Sequence, residues 1–343
     1  MNNASNTLPR IGFMLGDVTG IGPEIAAKLL ATGKPAVLAQ TIIIGDRRVL
    51  ELGMRNANVK FAYSVCKSID DIQWPRKDYP LIDLGDTDPA KFPQGVSSDE
   101  AGKLAGDALK FMIDLAIAGK LDGISFAPLN KGAMNRGGWK FNDEHQMFAS
   151  LLKHSGFFGE MNVIDQFSTF RVTSHVALRE AVNLITPERI TAAVNLAHST
   201  LTAAGKTNPR IGVAALNPHN GENGLFGDEE IRIIRPTVDK LKAGGIDCTG
   251  PISSDAIFLQ ALKGKFDGVV MMYHDQGQIA TKLLGFNKGV TVTAGLPAVF
   301  TTPAHGTAYD IVGKGVADPG ALEHAFTLAA RMAAGRKTAA KAA

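Results

Sequence analysis

Short apolar runs of strand length alternate with longer stretches of helical pattern along most of the chain. That alternation restricts it to an α/β fold with a largely parallel sheet. The runs are Arg10-Ile-Gly-Phe-Met-Leu15, Thr41-Ile-Ile-Ile-Gly45, Tyr79-Pro-Leu-Ile-Asp-Leu84, Leu121-Asp-Gly-Ile-Ser-Phe-Ala127, Phe170-Arg-Val-Thr-Ser-His175, Arg210-Ile-Gly-Val-Ala-Ala-Leu216, Phe266-Asp-Gly-Val-Val-Met-Met272 and Gly289-Val-Thr-Val-Thr-Ala294. Helices are expected from about Ser98 to Ala118 and from Gly320 onward, and after Thr186-Pro187, an N-cap followed by a first-turn proline. Thr249-Gly-Pro251 reads as a turn, and the glycine-scattered stretch from Thr302 to Pro319 as a loop. Residues 1–9 read as a disordered lead-in. A chain of 343 residues exceeds one core and suits two lobes. The expected division is residues 10–128 with 290–343, a discontinuous first lobe, and residues 129–289, the second.

Charge excludes some partners. Lys and Arg number 36 against 33 Asp and Glu, a formal +3, with no basic stripe interleaved with aromatics. Nucleic acid is therefore not expected. No segment approaches the roughly 20 apolar residues of a membrane helix. Cys66 and Cys248 cannot build a disulfide framework, which with the absence of a leader pattern points to a reducing, cytoplasmic setting.

Open α/β sheets place their chemistry at the carboxyl ends of strands. Three histidines sit there: His175, His219 and His274, each at or just past such an end. Two readings stand from this pattern. Three imidazoles could hold one divalent ion and leave positions open for substrate, or they could be three unrelated loop residues. His274 is followed by Asp275, and Lys282 lies further along the expected helix. Asp255 and Asp275 could move a proton or support an imidazole, with helix capping an equal competitor for Asp255. Lys131, after another strand, could serve catalysis, bind an anion, or simply be solvated. Gly16-Asp-Val-Thr-Gly-Ile-Gly-Pro-Glu24 joins a strand to a helix but lacks the dinucleotide glycine spacing.

Several segments together resemble the 4-hydroxythreonine-4-phosphate dehydrogenase family, related to the isocitrate and isopropylmalate dehydrogenases. They are Gly16-Asp-Val-Thr-Gly-Ile-Gly-Pro-Glu24, Ala127-Pro-Leu-Asn-Lys-Gly132, Glu144-His-Gln-Met-Phe148, Leu216-Asn-Pro-His-Asn-Gly-Glu222, Gly250-Pro-Ile-Ser-Ser-Asp255, Tyr273-His-Asp-Gln-Gly277 and His305-Gly-Thr-Ala308. The resemblance implies a two-lobed isopropylmalate-dehydrogenase-like fold with its active site in the interlobe cleft. The first lobe would lie on the cofactor side; the second would carry the metal ligands and dimerise. It implies a homodimer sharing a zinc, magnesium or cobalt ion on His175, His219 and His274, the first given by the partner. It implies NAD-dependent oxidation of a 3-hydroxy acid 4-phosphate, then decarboxylation, and a place in pyridoxine biosynthesis; Lys131, Asp255 and Asp275, named above from the residues, are the candidates for catalysis. The segment from His305 to Pro319 resembles an adenosine-binding loop, with His305, Gly306, Asp310 and Asp318 toward the cofactor. A carboxylate at Asp310 would hold ribose hydroxyls and repel a 2′-phosphate, which favours NAD over NADP.

The implied substrate contacts are His145, Gln146, Lys282 and Thr291. Three positions depart from the family pattern: Gln146 stands for Thr, Thr291 for Asn and Phe300 for Arg. Losing the Arg fork weakens the case for the usual phosphate contact. Other substrates stay open, a phosphotetronate or an unphosphorylated hydroxy acid or cis-dihydrodiol carboxylate. A non-catalytic metabolite-binding protein is the alternative from another class. An acyltransferase would have no use for three such histidines.

Overall fold

The computed structural model describes residues 8–141, 143–285 and 289–342, so residues 1–7 of the expected lead-in lie outside it. The chain runs through β1 (Arg10–Met14), α1 (Gly22–Ala31), α2 (Lys34–Leu38), β2 (Gln40–Gly45), α3 (Arg47–Ala57), β3 (Tyr63–Cys66), β4 (Tyr79–Asp83), α4 (Asp99–Ile117), β5 (Gly123–Phe126), α5 (Lys131–Arg136) and α6 (Glu144–Leu151). It continues with β6 (Gly159–Val163), β7 (Ser168–Arg171), α7 (Leu178–Asn183), α8 (Pro187–Ala203), β8 (Ile211–Ala214), α9 (Arg235–Ala243), β9 (Cys248–Ile252), α10 (Ser254–Leu262), β10 (Gly268–Met271), α11 (His274–Gly285) and β11 (Val290–Ala294). β12 (Val299–Pro303) and α12 (Gly320–Ala342) close the chain.

Two compact units result, Met1–His154 with Leu296–Ala343, and Ser155–Gly295. The first unit orders its strands β3-β4-β2-β1-β5-β12, all parallel. Ile11 and Phe13 of β1 and Ile42, Ile43 and Ile44 of β2 are buried, the continuous apolar run of strands covered on both faces. Phe13 meets Phe326 of α12 edge to face at 5.6 Å. The second unit orders its strands β11-β6-β7-β10-β8-β9, with β6 antiparallel to both neighbours and the others parallel. Phe167, Ile257, Phe258, Phe266 and Met271 are central to a core cluster there.

Local chemistry sets the helix starts. Ser98 Oγ accepts from Ala101 N at 3.2 Å and Thr186 Oγ1 from Arg189 N at 3.3 Å, so both caps fall where the residue types place them. Four strands escaped the sequence pattern: β3, β6, β9 and β12. β9 contains the Gly250-Pro251 pair expected to turn; it lies at an edge of its sheet, where a missing N–H is tolerated. β12 begins before the expected loop and runs into it.

The unit boundaries also differ from the expected ones at 128/129 and 289/290. Residues 129–154 pack with the first unit. Arg136 pairs with Asp99 at 2.9 Å, and Trp139 Nε1 donates to Lys103 O at 3.2 Å, so α4 holds this segment. β11 belongs to the second unit because it pairs with β6. No helix among the described residues is long and apolar enough to cross a membrane.

α4 and α5 touch at Gly102, where an added Cβ would lie 2.3 Å from the carbonyl carbon of Ala133. Gly102→Ala is expected to destabilise the protein by about 1–3 kcal/mol, as overpacking does. A shift of the urea midpoint to lower concentration checks this.

Candidate active site

Backbone pairing between β7 and β10 continues past both strands. Val172 N donates to Met271 O at 2.8 Å and Thr173 N to Met272 O at 3.1 Å; Thr173 Oγ1 also donates to Met272 O. The two chains therefore leave the sheet side by side. They bring His175 and His274 together, ring centres 5.4 Å apart. His274 Nδ1 lies 2.6 Å from Asp275 Oδ1, a contact that fixes the ring and leaves its other nitrogen for a ligand. Gln276 fixes the first turn of α11. It accepts from Met272 N at 2.7 Å and donates to Ala215 O and Ser254 Oγ.

His274, Gln278 and Lys282 recur at the i, i+4 spacing that shares a helix face. Gln278 Nε2 donates to Asn162 Oδ1 at 3.1 Å, and Arg171 donates to the same oxygen. Arg171 pairs with Glu160 at 3.1 Å, its side chain only 2% exposed. Asn162 Nδ2 reaches Thr291 Oγ1 at 3.3 Å. A buried guanidinium is tolerable only with such partners. The cluster ties β6, β7, β11 and α11 together.

His219 occupies a different structure. Residues 219–223 all have positive φ, from 41° to 74°, and four of them are not glycine. Left-handed backbone costs about 1–2 kcal/mol per non-glycine residue. Gly221 sits mid-turn at φ 74°, where a Cβ would meet Glu230 Oε2 at 2.8 Å. Glu230, fully buried, opens a π-helical turn at Glu230–Ile234. Its carboxylate accepts from Leu216 N at 2.8 Å, Asn217 N at 2.7 Å and Asn217 Nδ2 at 2.9 Å.

In the first unit, Lys131 opens α5 and its Nζ lies 2.7 Å from Glu144 Oε1. Glu144 is buried, and its other oxygen makes no hydrogen bond in the structure. His145 is buried beside it, and Gln146 is exposed. Phe300 is buried and stacks on Phe148 with centroids 4.3 Å apart. The loop between β12 and α12 is pinned at both ends. Tyr309 donates to Asp17 Oδ2 at 2.9 Å and accepts from Asn130 Nδ2 at 2.7 Å. Glu24 Oε1 accepts from Ala317 N at 2.9 Å, and Lys28 donates to Gly315 O and Ala317 O. In the same loop Gly306 and Asp310 are exposed and His305 is half-buried. Asp318 Oδ1 takes Gly320 N at 2.8 Å and so caps α12. At the carboxyl end of β2, burial works to raise the Asp46 pKa; hydrogen bonds from the Arg48 side chain and from Arg48 N and Thr87 N hold it below the usual value.

Residues 37–329 match the family model described as pyridoxal phosphate biosynthetic protein PdxA. The chain belongs to the PdxA family. A Pseudomonas aeruginosa relative, provisionally named 4-hydroxythreonine-4-phosphate dehydrogenase 2, is 44% identical over 331 residues, 95% of this chain and 97% of its own. The D-threonate 4-phosphate dehydrogenase of Cupriavidus necator is 39% identical over 338 residues, 97% of this chain and 99% of its own. A crystal structure of the 4-hydroxythreonine-4-phosphate dehydrogenase of Burkholderia phymatum matches with a TM-score of 0.79 at 37% identity, covering 95% of this chain and 98% of that one. The expectation of an oxidoreductase acting on a CH–OH group agrees with these names.

The PdxA-family chain brings together some expected ligands and not others. Among the described residues no group of three His, Cys, Asp or Glu side chains could hold a metal ion. His219 therefore does not join His175 and His274 within one chain. The resemblance implied that His175 is the ligand from a partner; here His219 stands apart. The pair itself suits an ion. Two imidazoles on one tetrahedral zinc, with Zn–N near 2 Å, hold their ring centres roughly 5 Å apart. Asp255 lies inside the first turn of α10, whose N-cap is Ser253, so it is not the N-cap. Asp17, Asn130, Glu144, Glu160, Asn162, Arg171, Glu230 and Tyr309 were not singled out from sequence. An Arg within a short apolar strand run was the one available signal for Arg171.

Tyr309→Phe would leave the buried Asp17 Oδ2 without this partner. Thermal unfolding is expected to show a loss of about 1–3 kcal/mol, the cost of an unsatisfied buried acceptor.

Proposed function

We propose that this chain is an NAD- and divalent-metal-dependent dehydrogenase of a 3-hydroxy acid 4-phosphate, and that it decarboxylates the resulting 3-keto acid. The observation that carries the reading is the His175–His274 pair, backed by Asp275, in a chain of the PdxA family. We infer a homodimer in which His219 of a second copy completes the ligand set. Support comes from apolar side chains left exposed after each histidine: Val176 and Leu178, Leu225 and Phe226, Ile279 and Leu283. Exposed apolar groups in such number mark an association surface.

When bound, the ion supplies a Lewis acid for the substrate oxygens and the nicotinamide a hydride acceptor. The chain's own residues bind and move protons. His175 and the Asp275-oriented His274 offer ring nitrogens. Lys131, paired with the buried Glu144 carboxylate, would take or return a proton at the carbinol oxygen. Asp255, exposed in the first turn of α10, is the second group proposed for proton transfer. Asp275 acts through His274. His145, Gln146, Lys282 and Thr291 would contact substrate, with Lys282 as the anion-binding charge. His305, Gly306, Asp310 and Asp318 would line the cofactor, Asp310 on the ribose hydroxyls.

The substrate is of the 4-hydroxythreonine 4-phosphate type. A phosphotetronate is the second reading. It is favoured by the name of the Cupriavidus necator relative. NADH formation should be measured with 4-hydroxythreonine 4-phosphate, D-threonate 4-phosphate and their unphosphorylated counterparts, with zinc, magnesium or cobalt added. Turnover is expected on a phosphorylated acid and should stop with chelator or with His274→Ala. Tight binding without NADH across the panel would favour a metabolite-binding protein instead. Sedimentation is expected to report a dimer.

A further inference from the structure

Glu230 is a buried carboxylate that none of the steps above uses. It is fully buried, yet its recorded partners are N–H groups of Leu216 and Asn217. Those donors belong to the two residues that lead from β8 toward His219. Glu229 adds a second hold, accepting from Asn217 Nδ2 at 2.6 Å. Immediately beyond lies the run of left-handed residues, and Gly221 within it packs against Glu230 Oε2. Glu230 itself begins a π-helical turn, a local distortion that recurs at functional sites. A strained backbone persists only where its surroundings over-determine it. Here the over-determining group is one carboxylate that gathers the donors on the near side of the turn and walls its middle.

We propose that Glu230 is the positioning residue of His219: it holds the left-handed turn so that the imidazole is presented outward in a single orientation for the ion. Its negative charge also favours a cation nearby. The proposal rests on the reading of His219 as a metal ligand.

The test uses the full chain, stripped with chelator and titrated with zinc by calorimetry. Glu230→Gln keeps the size of the side chain, removes the charge and turns an N–H donor toward Asn217. Zinc affinity is expected to fall roughly 10–100-fold, as for other groups behind a metal ligand, with the far-ultraviolet circular dichroism unchanged. A double-mutant cycle separates positioning from general loss of structure. On a His219→Ala background, E230Q is expected to change zinc affinity by less than about a factor of two, because residues acting as one unit are non-additive. Equal losses on both backgrounds would overturn the proposal, as would wild-type affinity in E230Q while H219A binds weakly. If H219A itself binds zinc like the wild type, the metal reading fails and this proposal with it. Should E230Q not fold, Asn217→Ala removes the Nδ2 contacts to Glu229 and Glu230 while the two backbone donors stay; a smaller loss of zinc affinity is expected, again absent on the His219→Ala background, and a loss of equal size on both backgrounds would overturn the proposal.

Discussion

The structure around the two histidines depends on one constraint, the backbone pairing that outlasts β7 and β10. Parallel strands normally diverge into separate loops. Here the bonds from Val172 and Thr173 to Met271 and Met272 keep the two chains in register until each has delivered an imidazole. The pairing needs anchoring on both sides. Gln276 anchors the α11 side to the end of β8, and the Arg171–Asn162–Gln278 cluster anchors the floor. A buried Arg paired with Glu adds little net stability over an apolar pair, but it is costly to break. What the cluster contributes is a single geometry.

The His219 arm is solved by opposite means. No sheet extends into it. A run of disfavoured backbone is held instead by a buried carboxylate and a π turn. Strain of this kind is unstable by itself, so the burial of Glu230 and its three hydrogen bonds are what let the turn persist. The two arms differ in how far a single chain can assemble them, and that difference is the physical argument for a second copy.

Much of the fold was legible in the residues. Caps at Ser98 and Thr186 and strand runs in β1, β2, β4, β5, β8 and β10 each follow from local rules. The failures have physical causes. β9 carries Gly and Pro, which locally mean a turn, and becomes a strand through its edge position beside β8. Residues 129–154 look like the start of a new lobe, but Gly102 permits α5 to press against α4 and binds them to the first. Asp255 was weighed as a cap because Ser and Asp share that chemistry; the cap position fell to Ser253.

The sequence by itself determined the element types and the residues that could bear chemistry, because periodicity, capping and side-chain functional groups are properties of short segments. Only the tertiary structure decided which of those groups meet. Asn162 and Arg171, nine residues apart on neighbouring strands, and Gln278, more than a hundred residues further on, share one oxygen. Tyr309 closes on Asp17 across nearly the whole chain. His175 reaches His274 while His219 does not, because strand order and register are long-range consequences of core packing that no local pattern carries.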